Sequence, residues 1–456
     1  MPPPINAYSR FRRPERRDAK SGVGFGRIAL VVAFLFLLVP AAMASTPEGG
    51  EESPIPGDPG SRLGARLFGE GDVGAVGKIG RVHERIRAAR SWARVAEAVD
   101  TVYGRYARLK SRAKTELGLS WSGTTNWLQQ WGIPGGGPSS AQIMSTPGFD
   151  WEIFRSDTIG AGSLQASYTY VQYPWAQAST VAGRMGVITP INDYPGRGDD
   201  SFDQLTYTHA LADNRVLLSI GQFPFYNFDG NPYLDNQQLN FNSYIFTQNG
   251  SATYAVAGLG LYAQINLTSR IQVSGGVQNA TDVDGRNLTV QGLGGDSLAW
   301  FGYVQWQPEF AGLGSGQYSM VFYGVPTVPA QGQTRGWSLS ASQSLGERWA
   351  IFGRANGARG YLTPIRQSYA LGVSLDDPLG LHPKDQVGLA LGFSQAAPPP
   401  TLPSEARNEK VLELYWNTTV FDALVITPSL QYIRDPSLQP ERDGAWALSL
   451  RASLVL

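Results

Sequence analysis

Residues able to make or break covalent bonds are scarce in this chain. Three histidines (His83, His209 and His382) and no cysteine occur among its 456 residues, which excludes thiolate nucleophiles and cysteine-ligated metals. A hydrolytic triad needs a nucleophile, a histidine and an orienting acid within hydrogen-bond reach. His209 is the one histidine in a clear strand-like run, and its neighbours Thr208 and Asp203 form no recognisable nucleophile motif. His382 sits in the turn-like DDPLGLHPKD. Acidic clusters at Asp199-Asp200, Asp282-Asp284 and Asp376-Asp377 offer the oxygen ligands that Ca²⁺ takes, but they fall in turns and read as solvated loops. What the chain does place at regular positions is hydrogen-bonding capacity. Arg354, Arg359, Glu413, Gln431 and Arg451 each stand between apolar or small neighbours in short alternating runs. Guanidinium, carboxylate and carboxamide groups hold a polar solute without reacting with it. Neither an enzyme nor a metal or cofactor is expected.

Alternation of this kind requires strands. In 385–395, Val387, Leu389, Leu391 and Phe393 alternate with Gln386, Gly388, Ala390, Gly392 and Ser394. In 445–456, Trp446, Leu448, Leu450, Leu454 and Leu456 face away from Ser449, Arg451 and Ser453. Period two with one apolar and one polar face is a strand between two different solvents. The polar face carries Gly, Ser, Gln and Arg, not the Lys/Glu coat of a soluble sheet. Trp175, Trp300, Trp306, Trp337, Trp349 and Trp446 fall near strand ends, as interfacial girdles do.

Composition agrees. Charged residues are 16% of the chain, against about 25% in soluble domains. Gly (54), Trp (12), Tyr (20) and Phe (19) take their place. A helical transporter is excluded, because it needs several apolar runs of about 20 residues. A closed barrel is the only all-strand way to satisfy a backbone in lipid. Sixteen candidate strands run from 148–157 to 444–456, one of them at 178–189, with 118–131 left over as a strand or plug segment. The expected fold is therefore all-β, a transmembrane antiparallel β-barrel of about 16 strands over 118–456. The interval 228–253 is too polar to cross lipid and reads as a long outer loop or one folded into the channel; Pro-rich 397–408 is a stiffer second loop. An arginine at the lipid midplane would cost about 2–4 kcal/mol. Alternation thus directs Arg354, Arg359, Glu413, Gln431 and Arg451 to the lumen near its constriction. Residues 118–456 carry 17 Lys and Arg against 25 Asp and Glu, with most acids in turns, so the constriction should be locally positive between acidic mouths.

Ahead of the barrel, Ile28–Ala44 is the one long apolar run, preceded by Arg10, Arg12, Arg13, Arg16, Arg17, Lys20 and Arg27 and ended by Ala42-Met43-Ala44. That order is a signal peptide over 1–44, cleaved between Ala44 and Ser45, and it exports the rest of the chain. Residues 45–77 have the composition of a flexible linker. Residues 78–117 read as a basic amphipathic helix or coiled coil on the periplasmic side, with 11 Lys and Arg against 4 acids. Val95, Val99, Val102, Tyr106, Leu109 and Ala113 share one of its faces.

The stretch NEKVLELYWNTTVFDALVITPSLQYI (408–433) resembles the carbohydrate-selective (OprB-like) porin family, whose chains end in a hairpin of the form E-x-x-x-E-x-Y-Y, a strand with P-x-x-Q-Y-I and a last strand with L-R. Glu409, Glu413, Tyr415, Pro428, Gln431, Tyr432, Ile433, Leu450 and Arg451 occupy those positions. WAIFGRANGARG (349–360) is similar to the family's F-x-R strand, and 214–281 to its central section. The opening segment Trp121–Trp131 departs from the family's Gly-Asp-Trp-Gly-Gly pattern, and the chain ends in Leu456 where Phe is common. The resemblance implies an outer-membrane channel of a Gram-negative bacterium that passes mono- or small oligosaccharides by diffusion. Its partners would be small-molecule carbohydrate, outer-membrane lipid and lipopolysaccharide, with a homotrimer as the assembly common to wide barrels and no nucleic acid. A general or ion-selective porin and a polysaccharide export channel remain the alternatives.

Overall fold

The computed structural model describes residues 93–456, apart from 135–136, 197–199, 282–289, 291–292, 381 and 422. The expected signal peptide, the linker and residues 78–92 of the basic helix lie outside the described residues. The described part of that helix, α1 (Ala93–Leu117), ends at Gly118, whose φ of 67° and contact with the Glu152 carbonyl leave no room for a Cβ. Tyr103, Tyr106, Lys110 and Ala113 form its half-buried stripe, while Val102 and Leu109 stay exposed. Two tryptophans fasten the helix to the barrel edge. The Trp121 indole donates to the Tyr106 hydroxyl at 2.8 Å, and the Trp151 indole to the Leu117 carbonyl at 3.1 Å.

The wall begins with two composite strands. β1 (Leu119–Ser122) and β2 (Thr124–Ile133) form one, hinged at Gly123. β3 (Ser140–Ser145) and β4 (Gly148–Ser156) form the next, broken at Pro147, which has no N–H for a ladder. β5 (Gly160–Gln172) pairs with both β3 and β4. There follow β6 (Ser201–Leu211), β7 (Val216–Phe223), β8 (Gly258–Asn266), β9 (Ile271–Asn279), β10 (Leu298–Trp306), the two-residue flap β11 (Glu309–Phe310) and β12 (Gly314–Val325). β13 (Thr334–Leu345), β14 (Trp349–Gly360), β15 (Ile365–Asp376), β16 (Gln386–Ala396), β17 (Glu409–Phe421), β18 (Leu424–Arg434) and β19 (Gly444–Val455) complete the wall. Each pairs antiparallel with the next, and β19 returns to β2 from Trp446↔Ile133 to Val455↔Thr124. The ring is closed and has 16 strands once the two composites are each counted as one and the flap is left out.

One expected strand is not a strand. Residues 178–189 contain the helix α2 (Ala178–Met185), in which Ala178, Val181, Ala182 and Met185 are buried at helical spacing and Gly186 provides a left-handed cap. The leftover segment at 118–131 is the first composite wall strand instead, so the strand number stands while two assignments exchange.

Burial is inverted relative to a soluble protein. Leu371 and Leu391 on the outer face are 66% and 59% exposed, whereas Glu413 and Arg451 inside are 0% exposed. Such an apolar outer surface belongs in lipid. Short turns such as 212–215, 267–270 and 346–348 lie at the end where β19 finishes and β1 begins; the long connections 173–200, 224–257 and 397–408 lie at the other. Short periplasmic and long extracellular connections orient the barrel. Connections 173–200 and 224–257, the second carrying the one-turn helix α3 (Tyr244–Thr247), turn back inside the wall. The small inward residues make that possible: a Cβ on Gly392 of β16 would strike Ile245 and Phe246 of this loop, and one on Gly132 of β2 would strike Val181 and Met185 of α2.

Candidate functional site

The site is built where the wall holds these two inner loops. On β17 the pleat turns Glu409, Val411, Glu413, Tyr415 and Asn417 inward. Glu413 accepts the backbone N–H groups of Asn242 at 2.7 Å and Ser243 at 2.9 Å, one on each oxygen. Glu409 accepts those of Ile188 at 2.8 Å, Thr189 at 2.9 Å and Ser437 at 2.9 Å. Four residues along a strand is about 13 Å, so the two carboxylates catch different loops at different depths. A buried carboxylate is tolerable only with such a set of donors, and charge-assisted bonds of this kind are the strong ones.

Arg451 of β19 meets the same loop from the other side. Its guanidinium donates to the carbonyls of Gln237 and of Asn240 (3.0 Å) and to Asn242 Oδ1 (2.9 Å). Asn242 is thereby held three ways, since its side-chain amide also donates to Ser429 Oγ at 2.7 Å. Arg354 of β14, 4% exposed, donates to the Leu234 carbonyl of the same loop. Gln431 of β18 donates to the Ile191 carbonyl of the first loop at 2.9 Å. Thus Arg354, Glu413, Gln431 and Arg451 share the inner face, but the loops cover them. The expected locally positive constriction is not what their guanidinium groups form, because both are enclosed by carbonyls and amides.

Arg359 is placed differently from its expectation. It lies an odd number of residues from Arg354, so period two turns it to the outer face. There it is exposed at the long-loop end, opposite Arg335.

The remaining anchors went unrecognised in the sequence. Gln130 of β2 donates to the Ile191 carbonyl at 3.0 Å, and Gln142 of β3 to the Tyr194 carbonyl at 3.0 Å and the Tyr173 hydroxyl at 2.9 Å. Gln237 donates to Gln142 Oε1 at 2.9 Å and accepts the Asp193 N–H at 2.7 Å, tying the two loops together. β3 lay outside every expected strand, and a glutamine carries no distinctive pattern. The inward parity of Asn126, Leu128 and Gln130 was the signal available.

Across the lumen the contact is aromatic. Phe225 and Phe228 of the second loop pack on Phe301 of β10 with ring centroids 4.8 and 4.3 Å apart, and Tyr254 lies edge-on to Tyr323 of β12 at 4.9 Å. Among the loop side chains, Asp193, Tyr194, Tyr226, Tyr233, Asn236 and Tyr244 are half-exposed, and Asn227 and Asp235 exposed.

Residues 175–456 match the family described as carbohydrate-selective porin, OprB family. Porin AaxA of Chlamydia abortus is 35% identical over 336 residues, covering 72% of this chain and 75% of that protein. Porin AaxA of Chlamydia pneumoniae is 33% identical over 320 residues, covering 70% and 73%. Among solved structures, the high-pH structure of Pseudomonas putida OprB has a TM-score of 0.64 at 15% identity, covering 77% of this chain and 97% of that one, which is a likeness of fold. The family match takes in both inner loops and every wall strand that anchors them except the first two. The closed barrel and these matches make the protein an outer-membrane porin channel, and the chain belongs to the carbohydrate-selective porin, OprB family.

Proposed function

We propose that this porin passes small, hydroxyl-rich neutral solutes, namely mono- and small oligosaccharides, by passive diffusion. The observation that carries the reading is the chemistry left accessible on the inner loops, which includes the aromatic rings of Tyr194 and Tyr233, amides at Asn227 and Asn236, and an exposed carboxylate at Asp235. Aromatic faces accept the C–H side of a sugar ring, and amides and carboxylates bond its hydroxyls. Arg354, Glu413, Gln431 and Arg451 serve the solute indirectly, by fixing where those loops stand. In planar bilayers, glucose- and maltose-type sugars should interrupt the ion current. Tyr233→Ala with Asp235→Asn should weaken that block by about 30-fold, in line with about 1 kcal/mol for each of two lost contacts. An ion current indifferent to sugar would overturn the reading.

A second reading, a general porin biased toward cations, is favoured by the exposed Asp235 on an inner loop whose two anchoring arginines, Arg354 and Arg451, are buried. A reversal potential near zero in a KCl gradient would count against it. The mature chain is proposed to begin at Ser45 and to assemble as a trimer; N-terminal sequencing and crosslinking of outer-membrane fractions test both.

A further inference from the structure

The outer face of the barrel carries two clusters of cations at its long-loop end. Arg335 of β13 and Arg359 of β14 stand directly opposite one another, both exposed, on the face that also bears Leu339 and Ile351. Among the described residues neither meets an acid or a hydrogen-bond acceptor. Like charges opposite each other in a sheet repel. The arrangement recurs further round the wall, where Lys410 of β17 opposes Arg434 of β18. There Lys410 Nζ (2.9 Å), Arg407 Nη1 (3.5 Å) and Arg434 Nε (3.9 Å) surround the single carboxylate of Asp435. The bonded Lys410 ammonium holds Asp435 below the usual carboxylate range, so the cluster keeps one negative charge against three positive ones. Arg155, an outward cation at the short-turn end, instead has its own acid, Glu152, at 2.9 Å.

Depth points the same way. Trp337 lies two residues inward of Arg335 along β13, and Tyr432 and Trp446, with ring centroids 4.5 Å apart, lie two residues inward of Arg434 and Gly444. Two residues of strand is about 7 Å, which puts both clusters just beyond an aromatic girdle, at the level of lipid headgroups.

We propose that the Arg335/Arg359 and Arg407/Lys410/Arg434 clusters bind the phosphate groups of a phosphorylated glycolipid in the outer leaflet. A phosphate matches the arginine fork in two parallel hydrogen bonds and cancels the repulsion between Arg335 and Arg359. The acyl chains of such a lipid would lie along Trp337, Leu339 and Trp446, delivering the headgroup to this depth; a free phosphate has no such anchor. The assignment is independent of which solute crosses the lumen.

The test uses the full mature chain, folded in detergent and incubated with bisphosphorylated lipid A or its dephosphorylated form. Lipid retained after washing is measured by native mass spectrometry, and folding by heat-modifiable migration. Wild type should retain the phosphorylated lipid about tenfold better, the size of one 1.4 kcal/mol preference. Arg335→Gln, Arg359→Gln, Lys410→Gln and Arg434→Gln combined should reduce it to the level of the dephosphorylated form, and Arg335→Gln with Arg359→Gln alone should lower it in part. Equal retention of the two lipids by wild type, undiminished retention by either folded variant, or full displacement by inorganic phosphate would overturn the proposal.

Discussion

The second inner loop is held at its ends and at its middle by different physics. Residues 225–228 and Tyr254 rest on an aromatic surface made by Phe223, Tyr262, Phe301, Tyr303 and Tyr323. Residues 234–243 are instead positioned by the polar side chains of Arg354, Glu413 and Arg451, with Phe241 packed beside them on Phe352 and Tyr415. Aromatic burial is proportional to area and nearly indifferent to small slides. Hydrogen bonds to ionised groups fail within tenths of an ångström and tens of degrees. The aromatic side therefore supplies adhesion, and the polar side fixes where the loop narrows the lumen.

The comparison can be broken most sharply at Glu413. Glu413→Ala leaves two buried N–H groups and Arg451 uncompensated, a loss of about 3–5 kcal/mol in loop anchoring. Single-channel recording should show a larger, flickering conductance; an unchanged, steady level would show that the aromatic side alone sets the constriction. Next in size is Arg354→Ala combined with Arg451→Ala, which loses the bonds to the carbonyls of Leu234, Gln237 and Asn240 at about 1 kcal/mol each. Conductance should again rise, and reversal potentials should move toward cations because two positive charges leave the lumen wall. Single changes would be partly masked, since Asn242 and Asn417 take up part of the load.

Phe301→Ala sharpens the contrast from the other side. It removes the ring under Phe225 and Phe228 and should lower the unfolding midpoint in urea, consistent with about 3–5 kcal/mol for a buried aromatic. Conductance should change far less than in Glu413→Ala, because the polar anchors still position the loop. The smallest effect belongs to Gln238→Leu, which loses bonds to the Thr124 carbonyl and Asn126 Oδ1, both at 2.9 Å. About 1–3 kcal/mol for a buried acceptor left unpaired should appear as faster proteolysis of the loop in the folded barrel, with single-channel current as in wild type.

Legibility followed the period of the pattern. From β12 to β19 the outward Leu, Ile and Trp positions alternate with Ser, Gly and Ala, and those walls stand where the alternation put them. The E-x-x-x-E spacing on β17 could be seen, and its two inward carboxylates could be expected, but not the loops they catch. The failures share a cause. Residues 178–189 mix Ala, Val, Met and Gly in a way that satisfies both periods over a few residues, and burial against Gly132 decided for the helix. Arg359 went to the outer face because an interval of five from Arg354 reverses parity.

The amino-acid sequence alone determined the closed barrel and its inward set of Arg354, Glu413, Gln431 and Arg451, because alternation is a local property that each strand carries within its own dozen residues. Only the tertiary structure decided that these side chains bind loops and not open water. Glu413 and Asn242 are 171 residues apart, as are no two members of any strand pattern, and a backbone N–H offers the same donor at every residue but proline. Which N–H groups meet which carboxylate is fixed by how the loop fills the ring, and no residue type announces that in advance.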